Sequence, residues 1–482
     1  MKQRIVLIAA LLLSVCISVD AQQQYFVSGG RKVDIKQFDR EINTMLDGTG
    51  VPGVSLAVIE NNKVVYANNY GYKQLSTKAK VDKKTVFEAC SLSKIFLVYV
   101  AHMLVDKGLL DLDKPMYQYL EYKPLAHDDR YKLITPRMVL SHSSGIENWR
   151  WYNNEDTLEI LSDPGQRFVY SGEGFQYLAK VIEKIINEPY ENYTNRMVVE
   201  PLQLRDTYLK YKDNSPADYA IGYTDFGTEI EKWKNLQPVP ASGIHLTGED
   251  FAKLIVAIFD RQHLSEARIK DLMKPVVRMK EDDASFHMGA GFSMIYTPKD
   301  TIVSFSGSNE GFKAQIFYSV INKRGFVFLT NSDLGNMITA KVCDMSARLD
   351  LQSIFRTSLQ KPYPSTAFSL LKTYRDKNAD AMFADIQLLK RAGKLDDNTL
   401  NELANLFVGH DKAIAKKLLE ENLAVYPNSA MSYCLLGRIY FEMKEYTLAY
   451  NNLKKAKDLN FTFWNIDGPL KAAEQLMSTN NK

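Results

Sequence analysis

Strand-like segments gather at two places far apart in this chain, and their separation constrains the fold more than any other feature. Residues 54–60 and 64–70 are rich in β-branched and aromatic side chains and flank Asn61-Asn62, a pattern that predicts a tight hairpin. Residues 291–296, 302–305, 314–320 and 326–330 repeat the signal much later, with turns around Pro298-Lys299-Asp300 and at residues 322–325. A helix from about residue 337 to 355 is expected to close this second set. The stretches between the two sets are mostly helix-like. The simplest arrangement is one antiparallel sheet built from both ends of the region and flanked by helices, an α+β fold with a mostly helical insertion.

Lys361-Pro362-Tyr363-Pro364-Ser365 ends that pattern, because closely spaced prolines stop helices and mark connectors. The expected division is a first folded region over residues 22–358, a linker over 359–366 and an all-α region over 367–482. Within the last, Tyr433, Leu436, Gly437, Tyr440, Ala449, Leu453 and Ala456 fall at the spacing of a tetratricopeptide repeat. Ala415, Leu419, Asn422 and Pro427 mark a partial predecessor. Such repeats need neighbours to bury their faces, so this tail is expected to dock on the first region or to recruit a protein partner along a groove.

With 482 residues and 45% hydrophobic content, the chain can bury more than one core. Its net charge of +3 is small, no block of like charge stands out, and no zinc-spaced cysteine or histidine cluster occurs. Nucleic acid is therefore not an expected partner, and neither a metal nor an organic cofactor is implied. Residues 1–21 read as a secretory signal: Lys2 and Arg4, an apolar stretch, then Val19-Asp20-Ala21, with cleavage expected after Ala21. Val15 precedes Cys16 where a lipoprotein site wants a small residue, which disfavours a lipid anchor. No later stretch reaches the roughly 18 apolar residues that span a bilayer, so a secreted or periplasmic protein is expected, without a transmembrane segment. Cys90, Cys343 and Cys434 form an odd, scattered set that defines no disulfide framework.

Ser91-Leu92-Ser93-Lys94 lies between the strand-like residues 85–89 and the apolar run 95–101. At the start of a buried helix, this spacing puts Ser91 and Lys94 on one face, where the amine reaches the hydroxyl. The helix N-terminus adds free N–H groups that favour a developing anion. A serine cap followed by a solvated lysine has the same spacing, so the chemistry needs partners downstream. Tyr170 is one candidate: it sits in a turn before a helix that begins near Phe175, and a phenol near an ammonium can have its pKa lowered towards neutrality, as a general base requires. The segment Phe305-Ser306-Gly307-Ser308 is the other. Gly307 would let substrate lie against the strand edge, and the N–H of Ser308 would pair with that of Ser91 as an oxyanion hole.

Together these residues resemble the serine β-lactamase-related family, the penicillin-recognising hydrolases that include class C β-lactamases, D-aminopeptidases and esterases. The resemblance covers roughly residues 38–355. Besides the tetrad, it rests on Val51-Pro52-Gly53-Val54, Leu140-Ser141-His142-Ser143-Ser144-Gly145, Glu200-Pro201-Leu202 and Pro240-Ala241-Ser242-Gly243, in family order. It implies a β-lactamase/transpeptidase-like fold, with Ser91 as acylated nucleophile, Lys94 as its activating partner and Tyr170 as proton shuttle. The choice of base between Lys94 and Tyr170 stays open, and His142 is implied to be structural. Two positions depart from the family pattern: Gly172 stands where asparagine is usual, and Phe305 where the third motif begins with lysine or histidine. Neither G-x-S-x-G nor H-E-x-x-H occurs, which argues against an α/β-hydrolase triad and a zinc hydrolase.

The expectation is an exported serine hydrolase that cleaves an ester or amide, small-molecule or peptide, through an acyl-enzyme on Ser91. Losing one polar transition-state contact costs about 2.7–4 kcal/mol. β-Lactamase and carboxypeptidase activities, which hold a substrate carboxylate near the third motif, therefore rank below esterase activity. Glu173 is a candidate to replace the missing amide by pairing with Lys94. The rival expectations are a catalytically weak or silent protein that uses the cleft as a sensor pocket, and a scaffold that serves the helical tail.

Overall fold

The computed structural model describes residues 24–150, 156–213, 218–280, 283–351, 363–462 and 464–480. The expected signal segment 1–21 and residues 359–362 of the expected linker lie outside the described residues. Among the described residues the main sheet has nine strands, in the order Ala79–Lys80, Lys63–Gln74, Gly53–Glu60, Arg324–Thr330, Phe312–Ser319, Asp300–Asn309, Ser293–Thr297, Phe286–Met288 and Val277–Arg278. Every pairing is antiparallel. The two sequence-distant sets meet where Val54 pairs with Thr330 and Ile59 with Gly325. Asn61 and Asn62 turn the first hairpin with φ of 52° and 57°, the left-handed conformation that a two-residue turn between twisted strands demands.

The central strands send alternate side chains to two cores, as the period of two requires. Leu56, Val58, Phe326 and Phe328 pack with Phe38, Ile42 and Leu46 of the helix Ile35–Thr49. Ala57, Ile59, Val327 and Leu329 join the cluster around the helix Lys94–Asp106. That helix is apolar nearly all round and buried from Lys94 to Leu104, so it forms the centre of the second core. The intervening residues add the helices Gly172–Ile186 and Gly248–Phe259 to the same side. The α+β expectation matches this architecture.

Two elements differ from their sequence-based expectation. The helix expected over 337–355 is a 3₁₀ turn, Asp333–Ile338, followed by a short helix, Thr339–Met345. The Ser346 hydroxyl donates back to the carbonyl of Val342 at 2.6 Å and the backbone then leaves helical geometry; residues 352–355 lie outside the described residues. The strand expected to stop at Phe305 continues to Asn309, because buried Phe305 and Gly307 alternate with exposed Ser306 and Ser308.

Seven helices make up the described part of the tail, from Thr366–Asp376 to Asp467–Asn480. Ala430–Glu442 and Tyr446–Asp458 pack as a pair, so close that a Cβ on Gly437 would lie 2.6 Å from the Leu453 side chain. The tail does not stand apart. Phe368, Leu371, Leu403 and Phe407 belong to the same apolar cluster as Phe38, Leu46 and Val51. No described helix is long and apolar enough to cross a membrane.

Candidate active site

Ser91 and Lys94 owe their positions to a tight sequence of elements. The chain leaves the strand Phe87–Glu88, makes a 3₁₀ turn over Cys90–Ser93 and enters the helix at Lys94. Cys90 adopts φ of 50°, a region that non-glycine residues rarely occupy, and Ser91 follows it at the cleft wall. The Cys90 thiol is fully buried, and burial pushes its pKa up, which fits a small core residue rather than a nucleophile.

Lys94 Nζ lies 3.3 Å from Ser91 Oγ and donates to the carbonyl of Ala241 at 2.8 Å. Its remaining surroundings are the rings of Tyr170, Phe175 and Trp149, at 4.9, 5.5 and 5.9 Å. Burial without a carboxylate partner lowers its pKa to about 7. Tyr170, in the turn before the helix Gly172–Ile186, donates its phenol proton to Ser91 Oγ at 2.7 Å. Burial raises its pKa to about 12. The fall towards neutrality expected for this phenol is absent, because desolvation dominates and the neighbouring amine is itself shifted towards its neutral form.

His142 backs Tyr170 rather than Ser91. Its ring stacks on Tyr170 with centroids 4.2 Å apart, and its Nδ1 accepts from the N–H of Ser171 at 3.2 Å. Burial, and next the charge on Lys94, push its pKa well below the ordinary value, so the imidazole is neutral.

On the opposite wall, Ser293–Thr297 pairs with the long strand only as far as Ser304, whereas Phe312–Ser319 pairs with it through Asn309. One edge of residues 305–309 is therefore left without a neighbouring strand. A Cβ at Gly307 would sit 2.7 Å from the Ala89 carbonyl and 3.0 Å from Ser91 N, so only glycine allows the strand to rest on the Ser91 turn. Ser308 follows on the cleft wall, and the Ser91 N–H, in the first turn of a 3₁₀ helix, has no intrahelical acceptor.

The structure thus brings Ser91, Lys94, Tyr170, Gly307 and Ser308 together. Ser306 is exposed, while Phe305 is buried with its ring 6.4 Å from His142. Gly172 is buried beneath Trp149, whose ring would lie 2.3 Å from a Cβ added there. Glu173 does not reach Lys94. Its carboxylate takes two hydrogen bonds from Arg150, at 3.1 and 3.0 Å.

The cleft in front of Ser91 has a volume of about 600 Å³. Glu88, Glu231, Glu310 and Asp333 line it together with Trp149, Trp233 and Lys313, and Lys313 is already paired with Asp333. Asn309 Nδ2 donates to Glu88 Oε2 at 2.7 Å, tying the end of the strand that carries Ser308 to the strand that precedes Ser91. Sequence reasoning missed the parts played by Trp149, Ala241 and the Glu88–Asn309 contact. Ala241 lies in a segment that carried the family resemblance, but nothing in its type reveals that its carbonyl holds Lys94.

A family model described as Beta-lactamase matches residues 38–341. Protein flp of Staphylococcus aureus (strain N315) is 24% identical over 365 residues, covering 71% of this chain and 70% of that protein. Penicillin-binding protein 4* of Bacillus subtilis (strain 168) is 24% identical over 309 residues, covering 57% and 67%. Among solved structures, a class C beta-lactamase superposes with a TM-score of 0.55 at 20% identity, over 64% of this chain and 95% of that one. The octameric penicillin-binding protein homologue from Pyrococcus abyssi gives 0.54 at 23% identity, over 62% and 74%. These likenesses agree with the observed sheet and helices, and a match across more than half of its length shows that the chain belongs to the beta-lactamase family.

Proposed function

We propose that this protein is an exported serine hydrolase that cleaves esters in preference to β-lactams, through an acyl-enzyme on Ser91. The observation that carries the reading is the meeting of the Ser91 hydroxyl with a phenol at 2.7 Å and a carboxylate-free buried amine at 3.3 Å. With its pKa lowered to about 7, Lys94 is substantially unprotonated near neutral pH and can take the Ser91 proton. The Ser91 oxygen then attacks the substrate carbonyl, and the oxyanion is received by the N–H groups of Ser91 and Ser308. The Tyr170 phenol delivers its proton to the leaving oxygen and recovers one from Lys94 by way of the site. Water repeats the sequence to release the acid and restore Ser91.

The cleft chemistry supports the ester preference. Its lining cation Lys313 is engaged by Asp333, Glu88 is paired with Lys232 at 3.4 Å, and Glu231 and Glu310 add two further carboxylates to the wall, a poor setting for the carboxylate of a β-lactam or a peptide terminus. Phe305 and the Trp149 ring over Gly172 remove two further polar contacts. The same two features favour the second reading, a sensor pocket without turnover. Treatment with a fluorophosphonate, followed by mass analysis of the Ser91 peptide, separates the two. Adduct on wild type and none on Ser91→Ala supports the hydrolase, and a folded wild type without adduct supports the sensor. A panel of esters, D-amino-acyl amides and β-lactams is expected to rank esters first.

A further inference from the structure

The segment from Gly222 to Trp233 connects the cleft to the tail. Ile230, Glu231 and Trp233 line the Ser91 cleft. Just before them the chain folds back on itself: Tyr223 bridges Glu229, Thr224 N donates to Thr228 O at 3.0 Å, and Ile230 N donates to Gly222 O at 2.9 Å. Phe226 stands at the tip of this small hairpin, and its ring leaves the first region to enter the tail. It stacks on His410 with centroids 3.7 Å apart and planes 12° from parallel, meets Phe407 edge-on at 4.9 Å, and faces Tyr374 at 5.9 Å. Beside it the Arg375 guanidinium presses on Gly227 and donates to the Gly50 carbonyl at 3.1 Å. Asp225, next to the plug, interacts electrostatically with Arg375 of the tail and with Lys313 and Asp333 of the cleft.

We propose that the helical tail is part of the substrate site: by gripping Phe226, it holds residues 222–233 as the outer wall of the Ser91 cleft, and Phe226 is a specificity-determining positioning residue. The first region fixes this wall at its base, whereas its tip meets the tail. At the base the Tyr223 hydroxyl accepts from the Leu75 N–H at 2.7 Å and donates to Glu229 at 2.8 Å, Glu229 accepts from the Ser76 N–H at 3.2 Å, and the Asp333 N–H donates to the Tyr223 carbonyl at 2.9 Å. The tip, closed by bonds among residues 224–228, is a short, partly exposed turn whose position depends on what it rests on, so an aromatic plug in a packed socket decides how often it is seated. The tail thereby selects among substrates by how much of the wall they need. A small acyl group reaching only Ser91 and Ser308 is indifferent to it, whereas a bulky one rests on Ile230 and Trp233.

This inference relies on the hydrolase reading for its kinetic arm alone. The test compares full-length wild type, Phe226→Ala, the tail-side variant His410→Ala and the conservative Phe226→Tyr. Hydrogen exchange is followed in peptides covering residues 221–234, with the central strand 53–60 as a folding control, and kinetics are measured with a short-chain and a bulky aryl ester. Phe226→Ala is expected to speed exchange in 221–234 at least about tenfold without changing 53–60, and His410→Ala to do so by a smaller factor. KM for the bulky ester is expected to rise about tenfold, with kcat moving less than about threefold, and Phe226→Tyr is expected to restore both. Unchanged exchange in 221–234 in both Phe226→Ala and His410→Ala overturns the clamp. Faster exchange with no selective rise in KM overturns its role in specificity. If wild type turns over neither ester, the hydrolase reading fails, and exchange still judges the clamp.

Discussion

Lys94 has one close carbonyl, three aromatic rings and a serine hydroxyl for neighbours, and no ion-pair partner among the described residues. Desolvation then outweighs the opposing influence of Cys90 and brings the Lys94 pKa to about 7, whereas the same burial drives the phenol of Tyr170 up to about 12. The sign of the pH dependence follows. A lysine must lose its proton before it can accept one, so fluorophosphonate labelling of Ser91 should fall about tenfold per pH unit below 7 and level off above it. A profile still climbing at pH 10 would transfer the base role to Tyr170. Replacing Tyr170 by Phe keeps the ring that stacks on His142 but removes the donor, and turnover should drop about 10²- to 10⁴-fold with melting temperature nearly constant. Gly172 carries a different lesson. Restoring the usual amide by Gly172→Asn drives a side chain into the Trp149 ring, so that variant should lose about 1–3 kcal/mol of stability in urea unfolding and gain no β-lactam turnover. Combining it with Trp149→Ala should relieve the strain. Ser91, Lys94 and Tyr170 were legible because each is a chemical type at a telling position. Trp149 was not, because its role comes from filling a gap left by a residue far along the chain.

At the scale of elements, β-rich composition was a good guide to the central strands, which are buried on both faces. The hairpin at Asn61-Asn62 and three of the four strands of the second set fall close to their expected bounds, since side chains on each face had a core to meet. The short helix Thr339–Met345 shows the limit, because one serine hydroxyl bonding back to the chain ended a run whose composition favours helix. The extension of the strand from Phe305 to Asn309 matters most for the proposed chemistry. It lays Gly307 on the nucleophile turn, where neighbouring backbone rather than a flexible side chain sets the spacing. Gly307→Ala should therefore push the strand away from Ala89 and Ser91 and misplace the donor at Ser308. The expected result is a loss of about 10²- to 10³-fold in kcat for esters, the effect of removing one oxyanion contact. A variant that folds normally and keeps its kcat would remove Ser308 from the oxyanion site.

At the scale of the whole molecule, the sequence divides more sharply than the packing does. Prolines and a change of period suggested a linker and an all-α tail that docks on the first region or recruits a partner, and the core beneath one face of the sheet runs from Phe38, Ile42 and Leu46 through Val51 to Phe368, Leu371 and Phe407, which is docking. Composition cannot reveal which face the tail covers, since its helices would read the same against any apolar partner. Shared apolar area couples the stabilities of its two owners, because unfolding either leaves the other with exposed surface that costs about 25 cal/mol per Å². Tail and first region should accordingly unfold as one unit. In urea, far-ultraviolet circular dichroism follows mainly the many helices, while the rate of Ser91 labelling follows the cleft, and the two transitions should coincide. Ala367→Asp and Leu371→Asp, each placing a charge in the shared cluster from the tail side, should shift both transitions together to lower urea, by several kcal/mol of stability. If the helical signal fell first while labelling of Ser91 persisted to wild-type urea concentrations, the tail would be an independent appendage and the shared core energetically idle.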